Sequence, residues 1–192
     1  MKEYIIATNN KHKVEEISQA LGDTIKLVTL RELGCREEIP ETSDTLKGNA
    51  QQKAQYIYNK YGKDCFADDT GLEVDALDGR PGVYSARYAG EGCSFDDNVD
   101  KLLEEMDGKT NRKARFRTVI CLIEDGKEYF FEGKCEGAIL TERYGRGGFG
   151  YDPIFIPSGY GESFAEMSLE DKNEISHRGL AVKKLVDHLL KY

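Results

Sequence analysis

The apolar positions change period several times along the chain, and each change marks an element. Residues 4–8 form a short β-branched run, which predicts a buried first strand. Beyond a polar turn, Val14, Ile17 and Leu21 recur at spacings of three and four. This predicts a helix over residues 11–21, ended by Gly22. Residues 25–30 read as a second strand, and residues 34–42 as a polar irregular stretch. Leu46, Ala50, Ala54, Ile57 and Tyr61 share one face of a helix over residues 45–61, with Gly62 as its C-cap.

Residues 65–67 read as a buried strand that runs straight into Asp68, Asp69, Thr70 and Gly71. Residues 72–76 alternate and extend it. Ser94 caps a helix to Met106, with Asp96 and Asp97 at its positive end. Residues 114–123, 128–133 and 138–140 are strand candidates, the first two joined by an Asp125-Gly126 hairpin turn. A glycine-rich loop over residues 145–150 leads to a last strand around residues 153–156. One C-terminal helix is expected from Leu169 onward. Helices between early strands and a hairpin cluster later predict an α/β fold with a long mixed sheet, in one domain spanning residues 1–192.

Charge and composition narrow the function. The chain has 27 basic and 35 acidic side chains, a formal net charge of −8, which argues against a general polyanion binder. Its longest apolar run is residues 119–123, far short of the ~20 residues of a membrane span. Residues 1–8 are too short an apolar stretch for a secretory signal, so a cytoplasmic protein is expected. The 5 cysteines (35, 65, 93, 121, 135) include no C-x2-C pair, and with 3 histidines they predict reduced thiols and no zinc site. An anionic substrate then needs local Lys or Arg, backbone N–H groups or a metal ion.

Several clusters could supply that chemistry. Thr8, Asn9, Asn10, Lys11, His12 and Lys13 lie at a strand-to-helix turn, where free N–H groups and the helix dipole suit a phosphate. The plainer reading is an N-capped helix with a basic first turn. Asp68 and Asp69, placed at the end of a strand, could hold a hard cation such as Mg²⁺ and supply a general base; the alternative is an Asx turn into Gly71. Glu38 and Glu41 read as a solvated acidic loop and Lys53 as a surface lysine. The loop from Gly145 to Asp152 lacks a dinucleotide-binding pattern, and Gly108-Lys109-Thr110 lacks the first glycine of a P-loop. Phe149 and Tyr151 read either as a stacking platform for a base or as packed aromatic plugs. Lys172, His177 and Arg178 read either as phosphate or base contacts or as a solvated helix face.

Taken in order, the segments IIATNNKHKVEEI, ADDTGLEVDALDGRPGVYSARYAG, GGFGYDPIFIP and FAEMSLEDKNEISHRGLAVKKL resemble the inosine triphosphate pyrophosphatase family. The resemblance implies an elongated, two-lobed α/β fold with the nucleotide in a cleft between the lobes, and a homodimer. It implies Mg²⁺-dependent hydrolysis of ITP, dITP and XTP to the monophosphate and pyrophosphate, which cleanses the nucleotide pool. By position, Thr8, Asn9, Asn10, Lys11, His12 and Lys13 would hold the triphosphate, Asp69 would be the catalytic carboxylate, and Glu41, Asp68 and Asp69 would serve the metal. Lys53, Thr70, Phe149, Gly150, Tyr151, Asp152, Lys172, His177 and Arg178 would contact the nucleotide, with Arg178 reading the purine six-position. The chain departs from the family at Gly48, where a Glu is usual, and around Glu41-Thr42-Ser43-Asp44. A pyrophosphatase of broader or different specificity, or a non-catalytic nucleotide sensor, stays open as the alternative.

Overall fold

The computed structural model describes residues 1–191. Its regular elements are β1 (Glu3–Ile6), α1 (Lys11–Leu21), β2 (Lys26–Thr29), α2 (Leu46–Tyr61), β3 (Cys65–Val74), β4 (Pro81–Gly82), α3 (Phe95–Met106), β5 (Lys113–Glu124), β6 (Lys127–Ile139), β7 (Phe155–Pro157), α4 (Leu169–Ile175) and α5 (His177–Leu189). The strands form one mixed sheet in the order β2-β1-β3-β5-β6-β7, with β4 pairing β3. β1 is parallel to both β2 and β3, while β4 and β7 pair antiparallel to β3 and β6. Asp125 and Gly126 both have positive φ, as the two-residue turn between β5 and β6 requires.

The chain divides into two compact units, and β3, β5 and β6 each contribute residues to both. The first unit holds residues 1–69, 118–133 and the chain from His177 onward. Its core joins Tyr4 and Ile6 of β1, Ile17 and Leu21 of α1, Phe66 of β3, Ile120 and Leu122 of β5, and Ala181, Val182 and Leu185 of α5. Caps set the helix ends: Asn10 starts α1, Thr45 starts α2, and Gly62 closes α2 in the left-handed conformation.

The second unit holds residues 70–117 and 134–176. Leu72, Val74, Leu102, Met106, Phe116, Phe155 and Phe164 build its core, where Phe116 meets Phe155 edge-on at 4.6 Å between ring centroids. Ser94 and Asp97 form a reciprocal capping box at the start of α3.

Three expectations are corrected. Residues 65–74 form one strand with no turn at Asp68-Asp69, and residues 128–133 and 138–140 belong to one long strand, β6. The C-terminal helix is two helices, broken at Ser176, whose backbone is extended (φ −72°, ψ 157°). Among the described residues no helix is long and apolar enough to cross a membrane, and all five cysteines are free.

Candidate active site

The strand conformation of β3 decides the site. Successive side chains of a strand point to opposite faces, so Asp68 and Asp69 cannot act as one pair. Asp68 lies on the face shared with Phe66 and meets residues of α1 and α5. Asp69 lies on the face shared with Cys65, whose thiol reaches the Ala54 carbonyl of α2.

On the first face, Asp68 Oδ2 sits 3.1 Å from Lys13 Nζ and 3.5 Å from Arg178 Nε. The Arg178 guanidinium also pairs with Glu16. Asp68, Arg178 and Glu16 are buried almost completely, and Lys13 retains a small exposed portion. Burial alone would raise the Asp68 pKa, but Lys13, Arg178 and Lys53 outweigh it and hold the carboxyl well below the usual range. Burial lowers the Lys13 pKa against the pull of Asp68.

On the second face, burial dominates at Asp69 and raises its pKa, with Glu41 adding to the rise. Asp69 Oδ2 is buried and has no hydrogen-bond partner. Lys53 Nζ lies 4.0 Å from Asp69 Oδ1, 2.6 Å from Glu41 Oε1, and donates to the Asp68 carbonyl at 2.5 Å. Burial opposes the charge on Lys53, but Asp68, Asp69 and Glu41 together raise its pKa. The Glu41 loop is pinned to α2: Thr42 N–H donates to Gln52 Oε1 and Ser43 N–H to Asn49 Oδ1, both at 2.8 Å. Gly48 leaves room for this loop, since a Cβ there would lie 2.0 Å from Ser43 Oγ.

The turn after β1 departs from expectation. Asn10 Oδ1 accepts the N–H groups of His12 (3.0 Å) and Lys13 (3.3 Å), and Thr8 Oγ1 accepts that of Asn10 (3.1 Å). Those three amides are capped within the turn, as the plainer reading expected. Asn9, Lys11 and His12 are exposed.

The second unit carries its own polar cluster. Asp152 Oδ2 accepts from Lys172 Nζ at 2.6 Å and from Phe149 N–H at 3.0 Å. Gly148 permits this: its φ is +66°, and a Cβ would lie 2.2 Å from Asp152 Oδ2. Lys172 Nζ lies 5.1 Å from the Phe149 ring centroid, inside cation–π range. Tyr151 is a buried plug rather than a platform, its hydroxyl donating to the Ser85 carbonyl at 2.7 Å. Phe149 and Gly150 are half-buried, as is Thr70, which follows Asp69 in β3.

Lys53, Lys172, His177 and Arg178 are all buried, so the surface readings of these residues are overturned. The Arg178 guanidinium is committed to two carboxylates. Lys172 belongs to the second unit and His177 and Arg178 to the first. Sequence reasoning missed Glu16 and Asn49. Glu16 lies beside the apolar positions of α1 and is hidden by Arg178, 162 residues away, which no local pattern reveals.

A family model described as the Ham1 family matches residues 4–188. A dITP/XTP pyrophosphatase of Porphyromonas gingivalis is 59% identical over 191 residues, covering 99% of this chain and 98% of that protein. One of Flavobacterium psychrophilum is 55% identical, covering 95% and 96%. The Staphylococcus aureus Ham1 protein superposes with a TM-score of 0.89 at 39% identity, covering 99% of each chain. A HAM1 protein from Coxiella burnetii gives 0.91 at 36% identity over the whole of both chains. Sequence and structure agree from end to end: this chain belongs to the Ham1 family.

Proposed function

We propose that the chain hydrolyses non-standard purine nucleoside triphosphates (dITP, XTP and ITP) to the monophosphate and pyrophosphate, clearing them from the nucleotide pool. The relatives that are dITP/XTP pyrophosphatases at more than half identity support the substrate class. The observation that carries the mechanism is Asp69, a buried carboxylate with an unpartnered oxygen and a raised pKa.

That oxygen also answers whether a divalent cation suits the site. Mg²⁺ takes one or two carboxylates and fills its remaining positions with water and substrate phosphates. Asp69 and Glu41, both bordering Lys53, match that donor set. Among the described residues no three acidic, His or Cys side chains converge as an all-protein cage, so phosphate and water would complete the coordination. Bound there, Mg²⁺ would supply neutralisation and polarisation of the phosphate oxygens.

The residues divide the remaining work. Asp69 accepts the proton of the attacking water, and its raised pKa makes it the stronger base for that step. Lys53 keeps its charge and balances Glu41 and Asp69 before substrate arrives. Asp68 lies on the opposite face and serves to hold Lys13 and Arg178, so it is withdrawn from the metal set. Gln52 and Asn49 hold the Glu41 loop in place.

The test is product analysis. The protein is incubated with dITP, XTP, ITP, GTP and ATP, with Mg²⁺ or with EDTA, and the products are separated by anion exchange. Monophosphate and pyrophosphate from the first three, abolished by EDTA, are expected. Diphosphate and phosphate would mean cleavage of the terminal bond. Equal activity on all five would make the enzyme unselective, and tight binding without cleavage would make it a sensor.

A further inference from the structure

Gly48 lies in the first turn of α2, where alanine is the better helix former. Its φ lies outside the positive range, so its own backbone does not call for glycine. The space around it does. A Cβ at position 48 would lie 2.0 Å from Ser43 Oγ, 2.7 Å from Ser43 Cβ and 2.9 Å from Thr45 Oγ1. These distances fall well inside van der Waals contact, so a side chain there would displace Ser43.

Ser43 belongs to a segment folded onto α2. Its N–H donates to Asn49 Oδ1 at 2.8 Å, and Thr42 N–H donates to Gln52 Oε1 at 2.8 Å. Gln52 Nε2 returns a bond to Thr42 Oγ1 at 3.0 Å. Gln52 and Lys53 follow Asn49 at spacings of three and four, so all of them share one side of the helix. That side therefore holds both acceptors of the loop and the ammonium that meets Glu41 at 2.6 Å. Lys53 also lies 4.0 Å from Asp69 Oδ1, which ties the position of Glu41 to that of Asp69.

We propose that Gly48 is a positioning residue for the divalent cation. By keeping its place on α2 clear, it seats residues 42–44 on the helix, and the seat holds Glu41 beside Lys53 before the cation arrives. The role of Glu41 as a cation ligand rests on the function proposed above; the seat itself does not. A ligand already in place costs less to bind than a loop that must first be ordered. The effect therefore falls on how much Mg²⁺ the enzyme requires, not on its rate once Mg²⁺ is saturating.

The test is a double-mutant cycle on the full chain between Gly48→Ala and Ser43→Gly, the second of which removes both Ser43 atoms that a new Cβ would meet. The remaining atom, Thr45 Oγ1, ends an exposed side chain that can shift. Two quantities are read: hydrogen exchange of the residue 42 and 43 amides in EDTA, and the Mg²⁺ concentration for half-maximal dITP hydrolysis. Gly48→Ala is expected to raise each about fivefold, the scale of one lost hydrogen bond, with kcat at saturating Mg²⁺ within about twofold of wild type. In the Ser43→Gly background the same change is expected to raise each by less than about twofold. Gln52→Met reaches the loop without crowding position 48, by removing the acceptor of Thr42 N–H, and is expected to raise both quantities in the same way. Circular dichroism reads the fold of each variant.

Unchanged exchange in Gly48→Ala or in Gln52→Met, or equal effects of Gly48→Ala in both backgrounds, overturns the seat. Faster exchange with an unchanged Mg²⁺ requirement overturns its role in cation binding, as does a fall in kcat without a change in that requirement. The two readings fail separately. Absence of dITP cleavage sinks the pyrophosphatase reading, while the exchange cycle still decides the seat. Mg²⁺-dependent cleavage with no coupling between positions 43 and 48 sinks the seat alone.

Discussion

Asp68 and Asp69 are chemically identical neighbours, yet the two faces of β3 give them opposite properties. Toward α1 and α5, Asp68 is fully buried and matched by Lys13 and Arg178, and its pKa falls. Toward α2, Asp69 is buried with the Lys53 ammonium only as near as 4.0 Å, and its pKa rises. Burial costs both of them; only partners distinguish them. One carboxylate is held by close cations, and the other, by the function proposed above, does the chemistry.

The largest effect that can break this comparison is on turnover. Asp69→Asn is expected to lower kcat on dITP by about 10²–10⁴-fold, the range for a lost general base, while nucleotide still binds. Full activity in that variant would move the base elsewhere.

Asp68→Asn is expected to act on stability. It takes the carboxylate from Lys13 and leaves Arg178 with Glu16, and breaking such a buried pair costs about 3–5 kcal/mol. Urea unfolding reads it, and a loss below about 1 kcal/mol would place the pair among weak surface ion pairs.

The pH dependence sharpens the contrast in sign. The folded pKa of Asp68 lies below its unfolded value of about 3.9. Its contribution is therefore complete above that value and is lost as pH falls toward the folded pKa. Asp69, raised in the fold, does the reverse: ionisation above its unfolded pKa weakens the native state. In EDTA, Asp69→Asn should melt higher than wild type at neutral pH, with the gap closing toward pH ~4. A lower melting temperature at neutral pH would mean that Asp69 is matched after all.

The smallest effect tests the turn after β1. Asn10→Ala removes the cap of α1 and is expected to cost about 1 kcal/mol in urea unfolding. No loss would mean that the His12 and Lys13 amides do not depend on it.

The helices were legible because period and caps are local signals: α1 runs from Lys11 to Leu21, and Thr45 and Gly62 bracket α2. β3 was not legible as one strand. Asp-Asp-Thr-Gly includes residues disfavoured in sheets, and tertiary partners overrode that preference. The proposal that Asp69 is the reacting carboxylate came through the resemblance. Its separation from Asp68 was not, because facing direction depends on whether the strand continues. The burial of Lys53 and Arg178 was hidden for a related reason. A buried charge needs carboxylates from other segments: Glu41 and Asp69 for Lys53, Glu16 and Asp68 for Arg178.

Lys13, Asp68, Arg178 and Glu16 bring two cations and two anions together against β3. Such a set resists drift one position at a time. A change at any member leaves an odd charge in the interior, and a second change must follow before the first can persist. Variation at these four positions is therefore expected in compensating combinations.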